Sequence, residues 1–327
     1  VYLDQWVWIQ LARVGTGRST DPIATAALEA IRKSAASGAA SFPLSASTYI
    51  EFYTGASPEQ RQSVGPTILE ISGQDTIRQA GPEVIAWELD LYLQRRHGKP
   101  EHPRAIPVFG RWYPHAFGNS GLLPGLHPDP ASVPTDLDAG QRQALERAVL
   151  EATGRLLLLG SPLEELVAGH DRLAIRNFDE RFAQEELVFA IWLQQWPRER
   201  WADAQYTRTL VRDVLPQIAD ALLLAQLPPS VLPTTSTEWV DVLRELPSLW
   251  ALTELKRLQH ANPDRPCERQ DHVDLVALSM AIAYCDIVVV DNHWSHQARS
   301  AHLDRLNDTV ISSLTDLPAS LALAVRS

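Results

Sequence analysis

Four carboxylates carry the chemistry that this sequence suggests: Asp4, Glu51, Asp274 and Asp291. Asp4 closes the apolar run Val1 to Leu3, and Asp291 closes the β-branched run Ile287 to Val290. Glu51 lies one or two helical turns beyond a short strand at Phe42 to Leu44, and Asp274 opens a helical stretch ending at Tyr284. In a right-handed α/β unit the helix runs down the sheet and the next strand climbs back, so a helix start and a strand end share one edge. The helix from Asp274 to Tyr284 spans ~16 Å at 1.5 Å per residue. The strand that follows returns ~13 Å at about 3.3 Å per residue. The two ends are therefore expected to meet, with Asp4 at the same edge. Neighbouring carboxylates raise one another's pKa and resist joint ionisation unless a cation compensates them. Oxygen ligands suit Mg²⁺ or Mn²⁺, and such ions activate an attacking water and stabilise the leaving oxygen of a phosphodiester.

Each acid also has a plainer reading. Asp4 suits the N-cap of a helix beginning at Gln5. Asp271 and Asp274 suit a helix cap and a first-turn acid. Glu51, between Tyr49 and Phe52, reads alone as a surface carboxylate, and Asp291 followed by Asn292 as turn chemistry. His272 and His293 flank the acids but read as solvated side chains. Arg95, Arg96 and Lys99 form a basic strip that a helix C-terminus favours anyway. Arg111 and His115 are candidate phosphate contacts if their loop covers the acidic edge. The ten tryptophans read as core and not as stacking platforms.

The elements that must position these residues alternate at both chain ends. Asp21-Pro22 caps a helix whose Ile23, Ala27, Leu28 and Ile31 recur at helical spacing, stopped by Gly38. A strand is expected at Ser41 to Ser45 and helices at 58–72 and 82–97. From 101 to about 134, closely spaced Pro and Gly argue against a regular helix and for a packed loop. Residues 140–258 read as helix, with Pro216 kinking one of them. A helix over 274–284, strands at 287–290 and 310–312 and a helix near 317–325 close the chain. The expected fold class is α/β: a parallel sheet flanked by helices, with a large and mostly helical insertion.

Composition narrows the function. Of 327 residues, 29 are Lys or Arg and 40 Asp or Glu, a net charge of −11. Bulk electrostatics therefore repel polyanions, and a nucleic-acid partner requires a local basic groove. Apolar residues make up 45%, the signature of a globular chain. Cys267 and Cys285 form no Cys-x-x-Cys array, which argues against structural zinc and for a reducing, cytoplasmic setting. No apolar run approaches the ~18 residues of a membrane span, and no secretory signal is read at Val1.

At these acids the sequence resembles the PIN-domain nucleases. VYLDQWVWI (Val1 to Ile9) is similar to the family's first strand with its first metal-binding aspartate. FPLSASTYIE (Phe42 to Glu51) is similar to its second strand and glutamate-bearing helix, and DLVALSMAIAYCDIVVVDN (Asp274 to Asn292) to its closing helix-strand unit with the last two acidic positions. The resemblance covers roughly the first 55 and last 55 residues. Gln5 stands where Thr often follows the first aspartate, and Val290 where Thr is often found near the last strand's end. Asn292 is an alternative to Asp291 for the terminal acidic place. The resemblance implies a PIN-like core from 1–75 and 259–327, a helical insertion at 76–258, and Asp4, Glu51, Asp274 and Asp291 as holders of Mg²⁺ or Mn²⁺. It also implies endonucleolytic cleavage of single-stranded RNA, with DNA left open, and use as a toxin or defence effector with an antitoxin or other inhibitor protein. Two rival expectations are a catalytically inactive PIN-like interaction module and a Mg²⁺-dependent phosphatase.

Overall fold

A computed structural model describes residues 1–98, 106–118, 137–160, 180–262, 267–268, 271–307 and 309–324. The amino-terminal elements are β1 (Tyr2–Leu3), α1 (Gln5–Gly15), α2 (Pro22–Ala36), α3 (Ala46–Thr54), α4 (Pro58–Ser72), β2 (Asp75–Ile77) and α5 (Pro82–His97). Next come β3 (Phe109–Arg111), α6 (Trp112–Phe117), α7 (Ala139–Leu159) and α8, whose described part is 180–193. Then follow α9 (Trp201–Thr209), α10 (Leu215–Leu224), α11 (Ser236–Arg244), α12 (Pro247–Ala261) and α13 (Asp271–Tyr284). The chain closes with β4 (Val288–Val289), α14 (Asn292–Ser300), β5 (Val310–Ile311) and α15 (Leu317–Ala324). The result is an α/β arrangement, mostly helical, around a small parallel sheet.

The sheet brings the chain ends together. β1 pairs in parallel with β4, Tyr2 opposite Val288, and β4 pairs in parallel with β5, Val288 opposite Val310. Successive backbone N–H groups of a strand point to opposite sides. Accordingly Tyr2 N donates to Ile287 O at 2.8 Å, while Val1 N donates to Ser41 O at 2.9 Å on the other flank. The expected strand at Ser41 to Ser45 contracts to a single parallel bridge, Leu44 to Thr76, with β2 antiparallel to β3 beyond it. β2 and β3 thus form a second, separate sheet beside β1-β4-β5. β1 and β4 are parallel neighbours, so their carboxyl ends lie at one edge.

Alternating side chains split the packing into two layers. Leu3, Ile287 and Val289 join α1, α2, α3 and α4 on one face, whereas Tyr2, Val288 and Val290 join α5, α10, α12, α13 and α14 on the other. The middle of the chain feeds both layers: α7 packs on α3 and α4, and α5 packs on α10 and α12. Helices 58–72 and 82–97 form as the sequence reading has them, each with Pro in its first turn, where the missing N–H costs nothing.

Three expectations need correction. α13 begins at Asp271, so Asp274 sits in the first turn and does not open the helix. The Pro/Gly-rich stretch does hold a regular helix, α6, because Pro114 falls in its first turn; the remainder at 101–105 and 119–134 lies outside the described residues, as does Lys99. Before Pro216 the helical path widens over Leu210–Val214, with Leu215 N–H donating to Leu210 O. The ring of Pro216 and its absent N–H are absorbed by that looser π turn, and Pro216 itself occupies the first turn of α10. Among the described residues no helix is long and apolar enough to cross a membrane.

Candidate functional site

Asp4 and Asp291 follow the carboxyl ends of adjacent parallel strands. Both are helix N-caps: Gln5 N–H donates to Asp4 Oδ1 at 2.8 Å, and Trp294 N–H donates to Asp291 Oδ1 at 2.8 Å. The N-cap reading of Asp4 is thus correct locally, whereas Asp291, read as turn chemistry, instead caps α14. Capping consumes one oxygen of each and leaves Oδ2 without a partner among the described residues. Glu51 reaches the same region from α3, which Ser45 caps and which packs against α13, and Ser47 Oγ donates to Glu51 Oε1 at 3.4 Å.

The electrostatics show which acids sense one another. Burial pushes Asp4 up to about 6, the Gln5 N–H opposes this, and Asp291 adds to the rise. Burial, then Asp4 and Asp271, push Asp274 up to about 7, while the Trp294 side chain, as a hydrogen-bond donor, holds it down. Glu51 is raised well above the usual carboxylate range, first by burial, then by Asp274 and Asp4, and it shares a hydrogen bond with Asp274. Tyr2, buried first of all, is raised further by Asp4, Glu51 and Asp274 together. The four acids therefore occupy one neighbourhood of negative charge, and no Lys or Arg among the described residues pairs with any of them.

They do not form a closed cage. Among the described residues no group of three His, Cys, Asp or Glu side chains stands ready-made for a metal ion. The donor chemistry, hard oxygens whose charge lacks a partner, fits a divalent ion nonetheless.

The neighbouring candidates separate from this edge. Asp271 is 1% exposed and accepts from Gln259 Nε2 at 2.6 Å and Glu268 N at 2.8 Å, so it fixes the head of α13. Asn292 is the first residue of α14, on the exposed side of Asp291. His293 packs on Trp294 and His272 on Phe182, ring to ring.

No known family model, curated protein or solved structure matches this chain. The assignment of chemistry therefore rests on the residues themselves.

His115 bridges Thr76 Oγ1 at 2.8 Å and Pro107 O at 3.0 Å, a structural tie of α6 to β2. Arg111 donates to Gly73 O and pairs with Asp75, in a cavity shared with Arg32 and Glu70. Arg95 pairs with Glu245 across α5 and α11. None of these contacts involves the four acids.

Residue typing overlooked the supports of the site, Tyr2, Ser45, Ser47 and Trp294; the single legible hint was Ser and Thr clustered ahead of Glu51. It also overlooked a buried ion network. Glu186 of α8, 1% exposed, takes two hydrogen bonds from Arg208, at 2.6 and 3.0 Å, one from Lys256 at 3.2 Å, and meets His260 Nε2 at 3.1 Å. Its cationic partners hold Glu186 far below the usual carboxylate range against the opposing effect of burial.

Proposed function

We propose that this chain is a divalent-metal-dependent phosphodiester hydrolase of PIN-like type, acting on single-stranded RNA. One observation carries the reading: Asp4 and Asp291 follow the carboxyl ends of neighbouring parallel strands, and Glu51 and Asp274 sense the same charge. Ligands of α/β sheets bind outside the carboxyl ends of the strands. Asp4 and Asp291 would hold Mg²⁺ or Mn²⁺ through the oxygens their caps leave over, and Glu51 and Asp274 would complete or share the shell. The ion supplies positive charge for a phosphate and lowers the pKa of water.

The chain's own residues do the rest. The two caps fix the rotamers of Asp4 and Asp291, so no reorganisation is needed at the moment of reaction. Trp294 and Ser47 orient Asp274 and Glu51 by donating to them. The raised proton affinity of Asp274 and Glu51 marks negative charge that a divalent ion would offset, with those protons released as it binds. Polarity of the strand ends leaves the phosphate at the crevice mouth, where exposed Asp291 and Asn292 stand.

Cleavage of a single-stranded RNA with Mn²⁺ tests the reading. The wild-type chain should cut internally, and Asp4→Asn should fall by at least ~100-fold, the scale of losing one strong transition-state contact; equal cleavage by both would reject it. A second reading, a metal-free interaction module, draws on the two caps and the open donor arrangement. Activity on phosphate monoesters without activity on oligonucleotides would instead favour a phosphatase.

A further inference from the structure

Asp274 stands in the first turn of α13. The opening turn of a helix has backbone N–H groups without intrahelical partners, and helix ends fray. A metal-binding group must nevertheless keep its place to about 0.5 Å. Asp4 and Asp291 are each fixed by a backbone N–H. For Asp274 the requirement passes to the head of its helix, which something has to restrain.

Asp271 supplies that restraint. It is 1% exposed and lies one turn before Asp274. Its backbone N–H donates to Glu268 O at 3.1 Å, and Glu268 N–H donates back to Asp271 Oδ2 at 2.8 Å, a reciprocal pair that closes the turn entering α13. The same Oδ2 accepts from Gln259 Nε2 at 2.6 Å, which ties the turn to α12. α12 is anchored in its own right. Lys256 and His260, which flank Gln259 along the helix, both reach the buried Glu186 of α8, and His260 Nδ1 stands 3.2 Å from Gln205 Oε1 of α9.

Two roles compete for this carboxylate. Its charge adds to the field that Asp274 senses, and its oxygen ties the head of α13 in place. The tie explains what the charge does not: donors from two separate segments converge on one buried oxygen, and a group acting through charge alone needs neither of them.

We propose that Asp271 is a positioning residue of the carboxylate site, fixing the first turn of α13, and with it Asp274, through Gln259 and Glu268. The inference rests on the cation reading of that site and names a residue outside the four acids on which the site depends. Calorimetric titration with Mn²⁺ and amide hydrogen exchange in EDTA test it. Asp271→Asn keeps an acceptor oxygen and drops the charge, Asp271→Ala drops both, and Gln259→Ala removes a donor while leaving the charge. Asp271→Ala and Gln259→Ala should each weaken Mn²⁺ binding by roughly 10-fold, the lower range for groups that support metal ligands. Both should also speed exchange over the first turns of α13, whereas Asp271→Asn should retain most of the wild-type affinity and protection. Circular dichroism checks that each variant folds, and Gln259→Ala carries the comparison if Asp271→Ala does not. Equal loss of affinity in Asp271→Asn and Asp271→Ala, with Gln259→Ala like the wild type, overturns the proposal in favour of charge. Undiminished Mn²⁺ binding in all three variants overturns it and leaves the cation site standing. A wild-type chain silent to Mn²⁺ rejects the cation site and this role together.

Discussion

Asp4 and Asp291 each cap a helix with Oδ1, and neither Oδ2 has a partner among the described residues. Asn caps about as well as Asp. Asp4→Asn should therefore keep the fold and remove only the charge, whereas Asp4→Ala should lose an additional ~1 kcal/mol in denaturant titration. The crowding of the acids has a pH signature with a definite sign. Asp4 near 6 and Asp274 near 7 lie above the ordinary 3.8. Between about pH 4 and 7 the folded chain holds more protons than the unfolded one, so without divalent ions stability falls as pH rises through that window. The full shifts set upper limits of about 3 kcal/mol for Asp4 and about 4 kcal/mol for Asp274. Asp274→Asn should accordingly raise the melting temperature near pH 8 in EDTA and leave it little changed near pH 4. An equal shift at both would show that crowding is not its cause.

The helices differ in how much of their role a local pattern conveys. Helices at 58–72 and 82–97 were legible because a first-turn Pro and a Gly just past the last turn are local signals. Strand ends at Asp4 and Asp291 were legible for the same reason, since an apolar run stopping at an acid needs no distant partner to be noticed. The Glu186 network was not, because Glu186, Arg208 and Lys256 come from α8, α9 and α12 and look like solvated charges until those helices pack. Its removal should be costly: Glu186→Gln leaves two buried cations uncompensated, and a loss of about 3–5 kcal/mol is expected in urea titration. The contact of α4 with α7 depends on a missing side chain. A Cβ at Gly65 would stand 2.6 Å from Leu158 O. Gly65→Ala should therefore destabilise by about 1–3 kcal/mol, and an unchanged midpoint would mean that the helices separate freely.

At the scale of the molecule, remote segments build one edge. β1 and β4 pair although almost the whole chain lies between them, and the elements in between supply both layers around the sheet. The pairing of the ends was legible from spaced acids and strand runs. The detail of the middle was not, because the π turn before Pro216 and the exposure of Trp192 and Trp196 depend on which neighbours arrive. An acidic molecule with a carboxylate crevice should gain stability from a divalent ion that binds only the folded chain, about 2.7 kcal/mol at a hundredfold excess over its dissociation constant. The central claim is that Asp4, Glu51, Asp274 and Asp291 act as a single cation site, and calorimetric titration with Mn²⁺ tests it most directly. Saturable binding to the wild-type chain, abolished in both Asp4→Asn and Asp274→Asn, is the expected result. A silent wild-type titration at millimolar metal, or binding that survives both substitutions, would contradict it.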